Sequence, residues 1–187
     1  MLRHIRLLIL VLLFAAGAAL SIVALSAVVA SAAGGIDEDV YAALKKLYAS
    51  TPAAKRIGEQ AQAVLIFPNI VKAGFLVGGQ YGSGALVQGG TIVGHYNSVA
   101  ASYGLQAGVQ KFGYALFLMN DKALTYLDKS DGWEIGVGPS VVVVDQGKAK
   151  TMTSTTLRDD VYAFIFSQKG LMAGLGIQGS KITKTSP

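Results

Sequence analysis

The chain contains no cysteine, 4 prolines, 1 tryptophan and 2 histidines, and no acidic residue precedes Asp37. Without cysteine there is no disulfide framework, no thiol nucleophile, no redox-active dithiol, no thiolate zinc site and no lipid anchor on a cysteine. Charged residues make up 14% and hydrophobic ones 52%, which is too apolar for disorder, and a domain of about 150 residues can bury a core of its own. Glycine is what the chain has in excess: 23 of 187 positions, about 12% against an ordinary background of about 7%. The glycines lack collagen spacing, so they point to turns, bulges and tight backbone contacts.

Arg3, His4 and Arg6 open the sequence; Leu7 to Ala30 is then apolar apart from Ser21 and Ser26, and Ala30-Ser31-Ala32 follows. This is the basic, apolar, small-residue order of a secretory signal peptide. Cleavage after Ala32 leaves a domain starting near Ala33. The apolar run also reaches the roughly 20 residues that cross a bilayer, so an uncleaved anchor is the alternative. Either way the two arginines stay inside and the rest leaves the cytoplasm, for the periplasm or the envelope membrane. The expected organisation is a signal segment over 1–32 and one domain over 33–187. Without Arg3 and Arg6 the formal charge of +5 falls to about +3.

Asp37-Glu38-Asp39 followed by Val40, Leu44, Leu47 and Tyr48 predicts an amphipathic helix of about three turns with acids at its start. Thr51 as N-cap and Pro52 at the first helical position predict a second helix, to about Gln62. From Ala63 the period changes to two. Val64 to Phe67 reads as a short buried strand stopped by Pro68, and Gly74 to Val87 places Phe75, Val77, Tyr81, Ala85 and Val87 on one face. Tyr103, Leu105, Ala107 and Val109 alternate with Ser102, Gly104, Gln106, Gly108 and Gln110, and Trp133, Ile135 and Val137 alternate before the run Val141 to Val144. Ala163, Ile165, Leu171, Ala173, Leu175 and Ile177 flank an expected hairpin turn at Gln168-Lys169-Gly170. Asp121 to Leu127 reads as a short helix capped by Asp121, and Asp131-Gly132 and Asp145-Gln146-Gly147 read as turns. The expected fold class is α+β: two N-terminal helices, then a mostly antiparallel, strongly curved or barrel-like Gly-rich sheet with one short inserted helix.

Chemistry finds little support. A serine hydrolase needs a nucleophile on a sharp turn and a histidine base, yet His95 is the only histidine beyond the signal segment and Gly-x-Ser-x-Gly is missing. The acids lack calcium-loop spacing, and no His-rich metal set is present. Gly174, Gly176 and Gly179 match a dinucleotide fingerprint without the βαβ unit that gives it meaning. No basic stripe with stacking aromatics suggests nucleic acid. An outer-membrane barrel is disfavoured by the want of aromatic girdles and by the ending Lys184-Thr-Ser-Pro187. No enzyme activity, metal or cofactor is expected.

A binding surface is what remains. Lys72 follows Phe67-Pro68-Asn69-Ile70-Val71 in an expected turn, Lys111 sits between Gln110 and Phe112, Lys169 is placed at the hairpin tip, and Lys181 lies near the end. Phe75, Phe112, Tyr114, Phe164 and Met172 stand close to them. Lysines at turns often only solubilise; beside exposed aromatics they suit an anionic headgroup, at about 1 kcal/mol per cation.

Ala63 to Leu86 with its core Phe67-Pro-Asn-Ile-Val-Lys-Ala-Gly74, and Phe166-Ser-Gln-Lys-Gly-Leu-Met-Ala-Gly-Leu-Gly-Ile-Gln-Gly-Ser180, resemble the SYLF domain family. Ser102 to Gln110 and Asp121 to Leu127 extend the resemblance over about residues 40–182. It implies a lipid-binding fold whose eukaryotic members are associated with phosphoinositide membranes and, in yeast, with actin; bacterial members are mostly short exported single-domain proteins like this one. It also implies that the helix before the strands, with Lys45 and Lys46, joins the membrane contact. The motif positions are Phe67, Pro68, Lys72, Gly74, Gly78, Gly79, Gly82, Gly84, Lys169, Gly170, Gly174 and Gly179, the glycines being structural. This chain has no partner module, so the eukaryotic ligand does not carry over. The expectation is an exported protein that binds membrane phospholipid through Lys45, Lys46, Lys72, Lys111, Lys169, Lys181, Phe75 and Phe112. The alternative is an anchored structural or protein-interaction module with no specific lipid.

Overall fold

The structure is a computed structural model describing residues 35–129, 133–135, 137–144, 157–170 and 180–185, with the side chains of 75–77 and 102–107 left out. Helix α1 covers 35–50, with its apolar stripe at Val40 and Leu47 fully buried. It ends where the Thr51 amide donates to the Leu47 carbonyl at 2.9 Å and Pro52 starts a new helix. Helix α2 is Pro52–Gly58. Thr51 stands at its N-cap, but its side chain makes no capping bond; its backbone carbonyl takes the amides of Ala54 and Lys55. The helix stops short of Gln62 because the Gln62 amide is already bonded to the Leu118 carbonyl at the start of the sheet.

Strands β1 (Ala63–Gln88) and β2 (Thr91–Leu118) form one long antiparallel ribbon. They are joined by Gly89-Gly90 at φ 58° and 84°, the positive angles a two-residue turn between twisted strands demands. Drawn straight, 28 residues would reach about 90 Å, six times the radius of gyration of about 15 Å for a domain of this size, so the ribbon has to curl. Register shifts at Phe67/Ile70, Phe75/Val77 and Leu86/Val87 supply the bends. Pro68, expected to stop a strand, sits in the first of these shifts, where its missing N–H interrupts no ladder. Gly82 and Gly84 let the curled ribbon close on itself, since a methyl on Gly84 would overlap the Ile66 carbonyl.

Helix α3 (Asp121–Lys129) follows β2; its cap is Asn120, one residue before the expected Asp121, whose side-chain oxygen takes the Ala123 amide at 3.0 Å. Next come β3 (Trp133–Glu134), β4 (Val141–Val143), β5 (Val161–Gly170) and β6 (Lys181–Lys184). One edge of β2 carries β1; the other carries β5 against 110–118 and β6 against 96–99, with β3 beyond β6 and a parallel β4 beyond β5. The result is the expected α+β architecture, a strongly curled, mostly antiparallel half-barrel after the helices.

The Ser-Gln-Lys-Gly stretch is not a hairpin turn. The ladder runs through it, pairing Lys111 with Lys169 and Gln110 with Gly170, and Ser167 at φ 53° absorbs the extra residue as a bulge. Leu7 to Ala30, the turns at Asp131-Gly132 and Asp145 to Gly147, and the alternation from Leu171 to Ile177 lie outside the described residues. Among the described residues no helix is long and apolar enough to cross a membrane.

The core sits where β1, β2 and β5 run together. Leu65, Phe67, Leu116, Leu118, Ala163, Trp133 and Leu127 pack inside the curl. On the opposite face Phe117 meets Phe164 edge-on at 5.2 Å and Tyr48 of α1 at 6.3 Å. Covered on both faces, these strands read as continuous apolar runs.

Candidate functional site

Farther along the ribbon the alternation turns inside out. Lys72 and Gln110, a cross-strand pair, are 5% and 4% exposed, and Gln80 and Ser98 are also buried. Their neighbours Val71, Tyr81, Val99 and Val109 face outward, the last three more than half exposed. The sequence expectation placed Tyr81 on one face with Ala85 and Val87 without saying which face is inside; Tyr81 pairs with Val99 on the outside while Gln80 points in and donates to the Ser180 hydroxyl at 2.9 Å. Among the described residues the buried Ser98 hydroxyl and Gln110 side-chain carbonyl have no hydrogen-bond partner, and a buried group so left costs about 1–3 kcal/mol. Selection for stability alone would have exchanged these faces, so the pattern marks a surface kept for another purpose.

At one end of this outer face the fold gathers two of the expected cations. Lys111 lies directly opposite Val71 on β1 and Lys169 on β5, and all three are exposed. Directly opposed residues of antiparallel strands share a face, with Cβ atoms about 5 Å apart, and like charges there destabilise a sheet. Val109, next outward on β2, adjoins the pair. At the other end Lys181 is exposed on β6 between Val99 and Glu134, which supplies it with an opposite charge.

The remaining expected residues separate. Lys45 and Lys46 are exposed on α1, away from the sheet's register. Lys45 borders a groove of about 460 Å³ together with Tyr41, Leu44, Tyr48, Ala49 and Lys55. Burial, followed by the Glu59 charge, raises the Tyr48 phenol above its usual range. Lys72 is in a strand and buried, not in an exposed turn. Phe112 is buried in the core cluster beside Tyr114, so neither presents an aromatic surface, and Phe164 is likewise buried. Lys72, Phe112 and Tyr114 follow the inward phase that the bulges set, while Phe164 is covered on the opposite face beside Phe117. The Phe75 side chain and Met172 lie outside what is described. Sequence reasoning missed Val71, Val109, Val99 and the outward role of Tyr81; the available signal was Gly, Ser and Gln recurring on the opposite parity, which is too small and polar for a core.

Two polar clusters complete the survey. His95 Nε2 meets Asp37 Oδ1 at 2.7 Å and the Tyr41 hydroxyl donates to the Gly90 carbonyl at 3.2 Å, both tying α1 to the ribbon. Asp160 receives Lys122 Nζ at 2.7 Å, Asn120 Nδ2 at 2.8 Å and the Ser140 amide at 2.9 Å, which hold its carboxyl far below the usual range and fasten α3 and the approach to β4 onto β5. Burial, with Asp128 nearby, pushes the Tyr96 phenol up to about 12. Among the described residues no three His, Asp or Glu side chains gather as a metal site.

The fold is a curled half-barrel with an apolar, lysine-ended outer face, and a comparison with protein families gives it a place. Residues 99–186 match the Ysc84 family, described as Las17-binding protein actin regulator. This is the SYLF (Ysc84) family that the glycine-spaced motifs resemble, and the match lies within residues 99–186. The matched span covers β2 from Val99 onward and the elements from α3 to β6. No curated protein matches the chain.

Proposed function

We propose that this protein is an exported, non-enzymatic lipid-binding domain that holds anionic phospholipid headgroups at Lys111 and Lys169. The observation that carries this reading is the exposed like-charge pair across β2 and β5, flanked by Val71 and Val109. Two ammonium groups held side by side lose little mobility on meeting a phosphate, and the anion relieves their repulsion. The family supports a binding role, since its description speaks of binding and regulation and not of a reaction. Export rests on Arg3, Arg6 and the run from Leu7 to Ala32.

The test is flotation of the purified protein with phosphatidylcholine vesicles, with and without phosphatidylglycerol, at low salt. Recovery should rise with the anionic fraction and fall as salt screens the charges. Equal recovery on both vesicle types would contradict the headgroup reading. The family description, a protein that binds another protein, favours one second reading: an anchored interaction module. N-terminal sequencing of the exported protein bears on it, because a start near Ala33 removes the anchor.

A further inference from the structure

The amphipathic helix is the element that the resemblance offers to the membrane, but α1 has spent its apolar stripe. Val40 and Leu47 are fully buried in the domain, and what the helix shows to solvent includes the acids Glu38 and Asp39 as well as Tyr41, Lys45 and Lys46. Among the described residues most of the exposed valines are on the ribbon, with Val71 and Val109 beside the lysine pair and Val99 farther along next to Tyr81.

We infer that the outer face of the β1–β2 ribbon, at Val71, Val109, Tyr81 and Val99, is itself the membrane-entering surface, resting in the upper acyl layer of an anionic bilayer. The inference rests on the headgroup reading and names the surface that follows the headgroup in.

Three observations choose this occupant. The face carries the unopposed cations Lys111 and Lys169 at one end, while Lys181 at the other is offset by Glu134, and a cationic border suits apolar contact beside anionic headgroups. The hydrogen bonds between β1 and β2 lie in the plane of the ribbon, so contact with its face brings side chains and not the ladder to the hydrocarbon. Its inner face carries Lys72, Gln80, Ser98 and Gln110 within the domain, so the ribbon can lie along the bilayer but cannot cross it as an isolated hairpin. Together they explain why stability is given up on both faces of the same strands: the outer residues await hydrocarbon, and the inner ones leave no apolar side to compete with it.

The chain has no cysteine, so single-cysteine variants can be labelled cleanly with an environment-sensitive dye. Val109→Cys and Val99→Cys report on the outer face, Tyr41→Cys on α1, and Val143→Cys on the exposed edge of β4. On vesicles of equal phosphatidylcholine and phosphatidylglycerol, the labels at 109 and 99 should shift to the blue and be quenched by lipids brominated near the top of the acyl chain, while those at 41 and 143 keep their aqueous spectra. Val71→Asn with Val109→Asn should lower vesicle recovery about tenfold while leaving the thermal midpoint nearly unchanged.

If the protein floats on anionic vesicles and the label at 109 stays aqueous, this inference falls and the headgroup reading stands. If it does not float at all, both fall. A blue shift at 41 in place of 109 would assign entry to the helix and overturn the inference, as would a shift at 109 that appears without vesicles and grows with protein concentration, the sign of copies pairing through this face.

Discussion

The two ends of the β1–β2 ribbon obey opposite rules. Around Leu65, Phe67, Leu116 and Phe117 both faces are apolar and covered, by the curl inside and by α1 and α2 outside. Around Lys72, Gln80, Val99 and Val109 one strand pair hides polar side chains and shows apolar ones. The β1–β2 pairing is the same in both places, while β5 runs along the first stretch and reaches only the edge of the second, so what differs is the cover each face receives. The first end holds the domain together; the second is maintained at some cost to stability, as binding surfaces are.

The widest contrast comes from matched truncations. Phe117→Ala should lose about 3–5 kcal/mol in denaturant unfolding, because it empties a site packed by Phe164 and Tyr48. Val109→Thr, on the outer face, should stay within about 0.5 kcal/mol. Equal losses would erase the distinction between the two ends.

Gly84→Ala should cost about 1–3 kcal/mol, since its methyl meets the Ile66 carbonyl where the ribbon closes on itself. A neutral result would mean that the curl relaxes there.

Asp160→Asn should cost about 1–3 kcal/mol through weakened bonds to Lys122, Asn120 and Ser140. Its folded carboxyl titrates well below the ordinary value of 3.8, so its stabilisation is fully present above about pH 4 and fades as the pH falls below that. Urea midpoints from pH 6 down to 2 should therefore fall less steeply in the variant than in the parent.

Gln110→Leu should be neutral or stabilising by up to about 1 kcal/mol, because it removes a buried carbonyl without a partner. Leucine at an ordinary satisfied polar site would destabilise, so this substitution tests the inverted end alone.

Much of the frame was legible in the sequence. Acids followed by Val40, Leu44 and Leu47 gave α1, Thr51-Pro52 placed the start of α2, and the alternation from Ala63 onward gave a curled antiparallel sheet. Phase was not legible. A period of two says which residues share a face, not which face is inside, and assigning Val and Tyr inward is correct only where a core receives them. Pro68 and Ser167 to Gly170 have the composition of turns but lie in bulges, since a single inserted residue draws on the same residue types as a chain reversal. The pairing of Lys111 with Lys169 spans 58 positions of sequence and follows from the β2–β5 register alone.

Lys169→Glu puts the account to its sharpest trial, because stability and binding should move in opposite directions. Replacing one member of a like-charge pair by its opposite should raise stability by about 0.2–1 kcal/mol, while recovery on phosphatidylglycerol vesicles drops to the level seen on phosphatidylcholine. A variant that keeps its full preference for anionic vesicles would contradict the headgroup site at Lys111 and Lys169.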